Sequence, residues 1–187
     1  LHSGGWIGGT RSFVPDMVLR FLDHGYAIAS VEYRVAPGTT FPGPVEDVKR
    51  AIRELKAMGA ESGLIDPEEL VAYGTSAGGH LGLFAATTVG EFEPADLSDG
   101  AAAFDSSIAA VVSAVGPTDL VQMFEQPNAW AAPMSGTFMG CFPTCTPDQL
   151  GPANPAEYLH PDIPPAYFAY GALDPLVDVE ALSLIHI

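Results

Sequence analysis

The pentapeptide Gly-Thr-Ser-Ala-Gly at residues 74–78 constrains the fold of this chain more than any other stretch. An apolar run suited to a buried strand precedes it, and small residues with helical potential follow at once, at residues 79–86. A strand that turns sharply into a helix leaves no room for Cβ atoms beside the turning residue, which accounts for the two glycines. The pattern therefore predicts a nucleophile elbow with Ser76 at its tip.

The predicted elbow gives Ser76 and Ala77 chemical roles. A serine in this position places its Oγ at the N-terminus of the following helix, where unpaired N–H groups and the helix dipole favour developing negative charge. Ser76 is then the candidate nucleophile, and the backbone N–H of Ala77 is one candidate donor to an oxyanion. A Gly-rich turn with a purely structural role is the alternative, which the flanking strand and helix signals disfavour.

A second Gly-rich stretch opens the chain, at residues 1–10. Only backbone without side chains approaches a substrate carbonyl closely, and loops of the form His-Gly-Gly-Gly supply oxyanion donors in lipases and esterases. This chain has His-Ser-Gly-Gly there, at residues 2–5. We therefore expect Gly4 and Gly5 to donate to the same oxyanion as Ala77, with a generic flexible loop as the alternative.

The rest of the chain alternates strand and helix signals. Apolar, β-rich segments lie at residues 26–33, 70–73, 108–115 and 166–170, and helical periodicity lies at residues 13–24, 45–56 and 77–86. This alternation predicts an α/β fold, a mostly parallel sheet with helices on both faces and ligand sites beyond the carboxyl ends of the strands. Ser76 and Asp174 each follow a predicted strand, so we expect one face to collect nucleophile and acid. The charges of the 45–56 helix are interpreted as a solvated face.

Residues 124–165 differ from this alternating pattern. The segment is Pro-rich, and its large apolar residues follow no evident period; they are Trp130, Met134, Phe138, Met139 and Phe142. A loop of this length without secondary structure in a compact domain is usually functional. We interpret it as a lid and pocket wall within a single partial α/β domain over residues 1–187, with satellite core packing as the alternative.

Composition excludes several classes of partner. The chain carries 7 Lys and Arg against 23 Asp and Glu, a formal net charge of -16, whereas nucleic acids and anionic membranes require a basic face. No apolar run is long enough to span a bilayer. Cys141 and Cys145 either pair locally or stay free, and without a second His or Cys cluster they make a poor zinc site. The sequence indicates no metal or cofactor, and it leaves localisation and oligomeric state open.

These motifs resemble the α/β-hydrolase superfamily, and within it the hormone-sensitive-lipase-like and bacterial feruloyl-esterase-like (BD-FAE-type) carboxylesterases. The segments that carry the resemblance follow the family's order: His2-Ser3-Gly4-Gly5-Trp6, Tyr33-Arg34-Val35-Ala36-Pro37, Phe41-Pro42, Val45-Glu46-Asp47-Val48, Gly74-Thr75-Ser76-Ala77-Gly78-Gly79-His80, Gly116-Pro117-Thr118-Asp119 and Gly171-Ala172-Leu173-Asp174. The resemblance implies Ser76 as nucleophile and Asp174 as triad acid. Its oxyanion donors fall on Gly4, Gly5 and Ala77.

The resemblance also implies an activity. The family's members are serine carboxylic-ester hydrolases that need no cofactor, and here we expect small acyl or aromatic-acid esters as substrates. An aryl formamidase or peptidase of the same fold, and a non-catalytic binding protein of that fold, are the alternatives. An intact Ser76 beside both oxyanion glycines favours the enzyme. Asp178 is the next candidate for the acid after Asp174.

The histidines and the chain ends depart from the family pattern. The family's catalytic histidine follows the acid on a further strand and loop, and its first strands precede the oxyanion loop. We therefore expect an inactive fragment lacking both. The histidines present are His2, His24, His80, His160 and His186, of which His80 is expected to face the packing side of the elbow helix. Residues 182–187 are what CTGTCTCTTATACACATC encodes, a transposon end used in sequencing libraries, so we expect a non-native tail on a chain of metagenomic origin.

Overall fold

The computed structural model describes residues 1–177 of the chain. Its centre is a three-stranded parallel sheet in the order β1-β2-β3; the strands are β1 (Val71–Thr75), β2 (Ala110–Ala114) and β3 (Ala166–Ala169). In the ladder, Val71 lies opposite Ala110, and Val111 lies opposite Ala166. This parallel sheet with flanking helices confirms the predicted α/β class.

Helices connect and cover the strands. The α-helices within residues 1–177 are α1 (Asp16–Leu19), α2 (Gly43–Ser62), α3 (Ala77–Thr87), α4 (Leu120–Glu125), α5 (Ala131–Met139) and α6 (Pro147–Leu150). Short 3₁₀ segments occupy Arg20–His24, Ala101–Ala103, Gly151–Ala153 and Pro155–Tyr158. Among the helices of this part of the chain, none is both long and apolar enough to cross a bilayer.

Helix α2 has Pro44 in its first turn, and Gly63 follows its last residue with a φ of 64°, which suits a glycine at a helix C-terminus. Its buried apolar stripe consists of Val45, Val48 and Ile52. The expectation of a solvated charged face is wrong for two lysines of this helix. Lys49 is fully buried and donates to Glu93 at 3.2 Å, and Lys56 is buried and donates to Asp105 at 2.9 Å.

Helix α3 is the most deeply placed element of the described chain, with all of its residues buried. Small residues allow this placement, because they let the helix approach the sheet closely. A Cβ on Gly79 would lie 2.8 Å from the Oγ of Ser113 on β2 and 3.1 Å from the Cα of Gly116. Leu81 and Phe84 of the same helix are fully buried in the core. The helix that follows Ser76 is thus fixed by packing on all sides.

Residues 26–33 form no strand in the described part of the chain, contrary to the sequence prediction. Within residues 1–177, none of their backbone groups enters a strand ladder. A strand requires an inter-strand partner, and an apolar β-rich pattern provides only the propensity for one. Tyr26 and most of its neighbours are accordingly exposed. The preceding helical prediction for residues 13–24 is met in part, by α1 and the 3₁₀ turn after it.

Residues 124–165 are not the structureless loop that the sequence pattern indicates. They contain α5, α6 and two 3₁₀ segments. Cys141 and Cys145, for which the sequence allows either a pair or free thiols, form a disulfide directly after α5. Residues 178–187, which include Asp178, His186 and the suspected foreign tail at 182–187, lie outside the described residues.

Candidate active site

Ser76 is the single residue between β1 and α3, as the elbow motif requires. Its φ of 54° and ψ of -122° lie in a region that non-glycine residues rarely occupy, at a cost of about 1–3 kcal/mol. Backbone hydrogen bonds hold it there from both sides. Its N–H donates to the carbonyl of Ala114 on β2 at 2.8 Å, and its carbonyl accepts from the N–H of His80 at 3.0 Å.

The glycines around Ser76 are sterically required. A Cβ on Gly74 would overlap the carbonyl of Gly78. A Cβ on Gly78 would lie 2.6 Å from the carbonyl oxygen of His2. Both contacts are to backbone atoms, which do not move aside as a flexible side chain does. The elbow therefore has the geometry that its sequence predicts.

The Gly-rich loop lies against the elbow. The backbone nitrogen of Leu1 donates to the carbonyl of Tyr73 on β1 at 2.7 Å, which places the start of the loop beside the strand that leads to Ser76. The loop turns tightly, since the N–H groups of Ile7 and Gly8 both donate to the carbonyl of Gly4 at 3.1 Å. Gly4 has a φ of 131°, in the range that favours glycine.

The three predicted oxyanion donors remain available for a ligand. Within residues 1–177, the backbone N–H groups of Gly4, Gly5 and Ala77 donate to no acceptor. Ala77 is the first residue of α3, where N–H groups have no partner inside the helix and the dipole is positive. The start of the loop and the start of the helix are adjacent, because a Cβ on Gly78 would lie 2.6 Å from the carbonyl oxygen of His2.

His2 holds the backbone of this loop in place. Its ring stacks on Tyr33 with centroids 4.0 Å apart, and its Nδ1–H donates to the carbonyl of Ser3 at 2.8 Å. The Tyr33 hydroxyl donates in turn to the carbonyl of His2 at 2.8 Å, and burial raises the pKa of that hydroxyl above its ordinary value. His2 is therefore engaged with the loop backbone.

His80 is a structural residue. Its Nε2–H donates to the carbonyl of Ala153 at 2.9 Å, and its Nδ1 accepts from the indole N–H of Trp6 at 3.2 Å. Complete burial lowers the pKa of His80 to about 4, so the ring is neutral near pH 7. Because both ring nitrogens already have partners, His80 is not free to act as the base for Ser76. The packing-side expectation is confirmed.

Asp174 follows β3 and lies at the same edge of the sheet as Ser76, because the carboxyl ends of parallel strands share one edge. Its Oδ1 accepts from the backbone N–H groups of Leu176 at 2.9 Å and Val177 at 3.0 Å. These bonds fix the carboxylate within its own turn. Asn128 ties that turn to the segment before α5, because its Nδ2 donates to the carbonyl of Pro175 at 3.0 Å.

The described residues do not complete a triad. Among residues 1–177, no histidine side chain is hydrogen-bonded to Ser76 or to Asp174, and His24 and His160 are exposed at other places. No group of three or more His, Cys, Asp and Glu that could hold a metal ion occurs in this part of the chain.

Sequence reasoning named Met134 only as part of the predicted lid and pocket wall, and missed its contact with the Gly-rich loop. A Cβ on Gly5 would lie 2.5 Å from the Sδ of Met134 and 2.9 Å from its Cγ. Trp130, Met134 and Phe138 are spaced four residues apart, so a helical face was present in the sequence. Pro133 and Gly136 within the same stretch obscured that signal.

With this geometry in view, comparison with known proteins identifies the family. The BD-FAE family model matches residues 1–186. The chain belongs to the BD-FAE family. Its fold is that of α/β-hydrolase esterases: a truncated form of a carbohydrate esterase from gut microbiota superimposes with a TM-score of 0.85 at 25% identity, covering 98% of this chain and 69% of that one.

Two curated relatives of this BD-FAE member are named as ester hydrolases. Esterase LipQ of Mycobacterium tuberculosis is 29% identical over 175 residues, which is 93% of this chain and 41% of LipQ. The probable carboxylic ester hydrolase LipM of the same organism is 29% identical over 184 residues, or 96% of this chain and 41% of LipM. The chain therefore spans about two fifths of the length of these two relatives.

Proposed function

We propose that this BD-FAE member, in its full-length form, is a serine carboxylic-ester hydrolase that acts through an acyl-enzyme. By full-length form we mean the natural reading frame to which this chain corresponds. The observation that carries the proposal is the backbone of Ser76, held at a strained positive φ between a strand and a helix, together with the N–H groups of Gly4, Gly5 and Ala77, which have no acceptor among residues 1–177. A binding module has no need of such strain. The esterase names of the relatives point to the same chemistry.

In the proposed reaction, a histidine oriented by Asp174 takes the proton of the Ser76 hydroxyl. The Oγ then forms a bond to the ester carbonyl carbon, and the carbonyl oxygen becomes an oxyanion held by the N–H groups of Gly4, Gly5 and Ala77. Collapse of this intermediate expels the alcohol, which receives the proton from the histidine. Water repeats the sequence on the acyl-enzyme and releases the acid.

The proposed substrates are esters of small acyl groups or of aromatic acids. The proposed base lies beyond residue 177, since the described histidines are engaged elsewhere or exposed. The 187-residue chain is proposed to be inactive by itself, with His186 part of the suspected foreign tail. Robust ester hydrolysis by that chain, lost on His186→Ala, would contradict this proposal and identify His186 as the base.

Fluorophosphonate labelling of the full-length protein tests the proposed nucleophile. We expect one labelled serine by mass spectrometry, with the label lost in Ser76→Ala. A folded protein that remains unlabelled would disprove the esterase function and favour a binding protein of the same fold.

The proposed acid is tested by a matched pair of variants. Asp174→Asn is expected to lower kcat for p-nitrophenyl acetate by about 10⁴, the size of the effect in serine-protease triads, where the acid holds the histidine in the correct tautomer. Asp162→Asn, the same change at an exposed carboxylate, is the control. Equal activities of the two variants would move the acid role to another residue, with Asp178 the first to test.

A further inference from the structure

The first turn of α5 lies between the two parts of the candidate active site. On one side, Met134 contacts the oxyanion loop, because its Sδ and Cγ occupy the space that a side chain on Gly5 would need. Met134 is only half-buried, so part of this side chain faces outward beside the loop. Met134 therefore borders the backbone of Gly5, one of the proposed oxyanion donors.

On the other side, the same turn is tied to the loop that carries Asp174. The side chain of Asn128 bridges the two: its Oδ1 accepts from the N–H of Trp130 at 2.9 Å, and its Nδ2 donates to the carbonyl of Pro175 at 3.0 Å. Pro175 is the residue directly after Asp174. One amide side chain thus holds the backbone of Trp130 next to the acid loop.

The Trp130 side chain is more exposed to water than is usual for a tryptophan. Its exposed fraction is 65%, whereas Trp6 is 1% exposed. Among the described residues, no aromatic ring stacks on the Trp130 indole. The N–H of Met134 donates to the carbonyl of Trp130 at 3.0 Å, so the two residues are one helical turn apart and lie on the same face.

The remainder of α5 is rigidly held. Phe138, one turn further on, is fully buried and stacks on Trp6 with centroids 4.8 Å apart. The N–H of Phe41 donates to the carbonyl of Phe138 at 2.9 Å. The disulfide that follows the helix packs on Gly136, where a Cβ would lie 3.1 Å from the Sγ of Cys145. The exposed turn is therefore presented by a preorganised helix.

From this arrangement we propose that Trp130 and Met134 form an apolar wall that binds the aromatic acyl group of the ester substrate. This wall sets a preference for esters of aromatic acids over esters of small aliphatic acids. The inference rests on the proposed function, because the wall is placed by its contacts to the oxyanion loop and the acid loop. An indole and a thioether both interact favourably with an aromatic ring, and covering them removes exposed apolar surface from water.

The kinetic test compares esters that differ in the aromatic group. For the full-length protein, the ratio of kcat/KM for methyl benzoate to that for methyl acetate is expected to fall about tenfold in Trp130→Ala. Trp130→Phe, which keeps a ring, is expected to restore most of the ratio. Phe13→Ala removes a ring of nearly equal exposure, 67% against 65%, outside this segment and serves as the control, with an unchanged ratio. An unchanged ratio in Trp130→Ala would overturn the inference.

A binding test separates this inference from the proposed hydrolysis. In full-length Ser76→Ala, the non-turned-over probe methyl 4-nitrobenzoate is expected to quench the emission of Trp130, and the quench is expected to disappear when Trp130→Phe is added. Trp6 is the other tryptophan of this chain and is buried. Quenching without any hydrolysis by the unmutated protein would refute the esterase function but support the wall. Hydrolysis of methyl benzoate without quenching would refute the wall alone.

Discussion

Residues 71–87 and residues 13–33 present the same kind of sequence pattern, an apolar β-rich segment adjoining an apolar helical one, but the structure treats them in opposite ways. Every residue of α3 is buried, and β1 pairs along its length with β2. In residues 13–33, Phe13 is 67% exposed and Leu22 is 53% exposed, and none of these residues forms a strand.

The difference shows what a local pattern specifies. Period and propensity determine which conformation a segment favours, but burial and ladder hydrogen bonds come from other parts of the chain. Residues 71–87 receive both, from β2 and from α2. Within residues 1–177, residues 26–33 receive no strand partner. The predictions that follow compare the two regions by matched substitutions in the full-length protein.

The largest contrast is expected between two glycines. Gly74→Ala places a Cβ against the carbonyl of Gly78, and we expect a loss of more than about 4 kcal/mol in the free energy of unfolding, or failure to fold. Gly25→Ala, at a φ of 82° with open space around it, should cost only about 1–2 kcal/mol from backbone strain. Urea denaturation measures both, and equal losses would contradict the role assigned to the elbow glycines.

The second contrast is between two phenylalanines. Phe84 is fully buried in α3, and Phe84→Ala is expected to cost about 3–5 kcal/mol of unfolding free energy through lost burial and a cavity. Phe13→Ala is expected to change stability by less than about 0.5 kcal/mol, since the side chain is mostly in water. If Phe13→Ala proved as costly as Phe84→Ala, residues 13–33 would be buried in the full-length protein.

The third contrast is a pH dependence that originates in α3. Burial lowers the pKa of His80 from 6.5 to about 4, so the fold favours the neutral ring. The stability that the neutral His80 ring contributes is complete above pH 6.5. Up to about 3 kcal/mol of it is lost as the pH falls towards 4, because the unfolded state then binds a proton that the folded state does not. His80→Gln should flatten the stability profile over this window.

His24→Gln is the control for that pH profile, as the same change at an exposed histidine of the other region. Titration of carboxylates is common to all variants and cancels in the difference. A profile in which His24→Gln flattens the curve as strongly as His80→Gln would contradict the assignment.

The smallest expected effect concerns Ser76 itself. Ser76→Gly relieves the positive φ and is expected to raise the free energy of unfolding by about 1 kcal/mol while removing the proposed nucleophile. Ser76→Ala removes the hydroxyl but keeps the Cβ, so it should bring no such gain. Calorimetric unfolding of the two variants side by side measures the strain, and identical transition temperatures would show that the elbow is not strained.

The elbow could be predicted because its sterics are contained in one short stretch. Gly74, Ser76 and Gly78 interact with each other and with the adjacent loop, so the motif implies the geometry. The burial of Lys49 could not be predicted, because its partner Glu93 is distant in sequence and a charged residue on a helix is ordinarily solvated. The absence of a strand at residues 26–33 was equally inaccessible, since pairing depends on the rest of the sheet.

The candidate site likewise has features that short motifs predict and features that depend on contacts between distant segments. Gly4, Gly5 and Asp174 became candidates from motifs, whereas the contact between Met134 and Gly5 arises from two segments more than a hundred residues apart. Helix α5 itself was detectable from the spacing of Trp130 and Met134. The prolines of the segment favour a loop on composition alone, although Pro133 lies in the first turn of α5, where a missing N–H is tolerated.

The Cys141–Cys145 disulfide bears on how samples of this protein are compared. Thiol reductants in a purification buffer act on the bond that closes the chain just behind α5, the helix that holds Met134 over Gly5. A preparation stored in dithiothreitol and one stored in air are therefore chemically distinct materials, two hydrogen atoms apart. Rates measured on the two preparations can be compared only after the free thiols in each have been quantified.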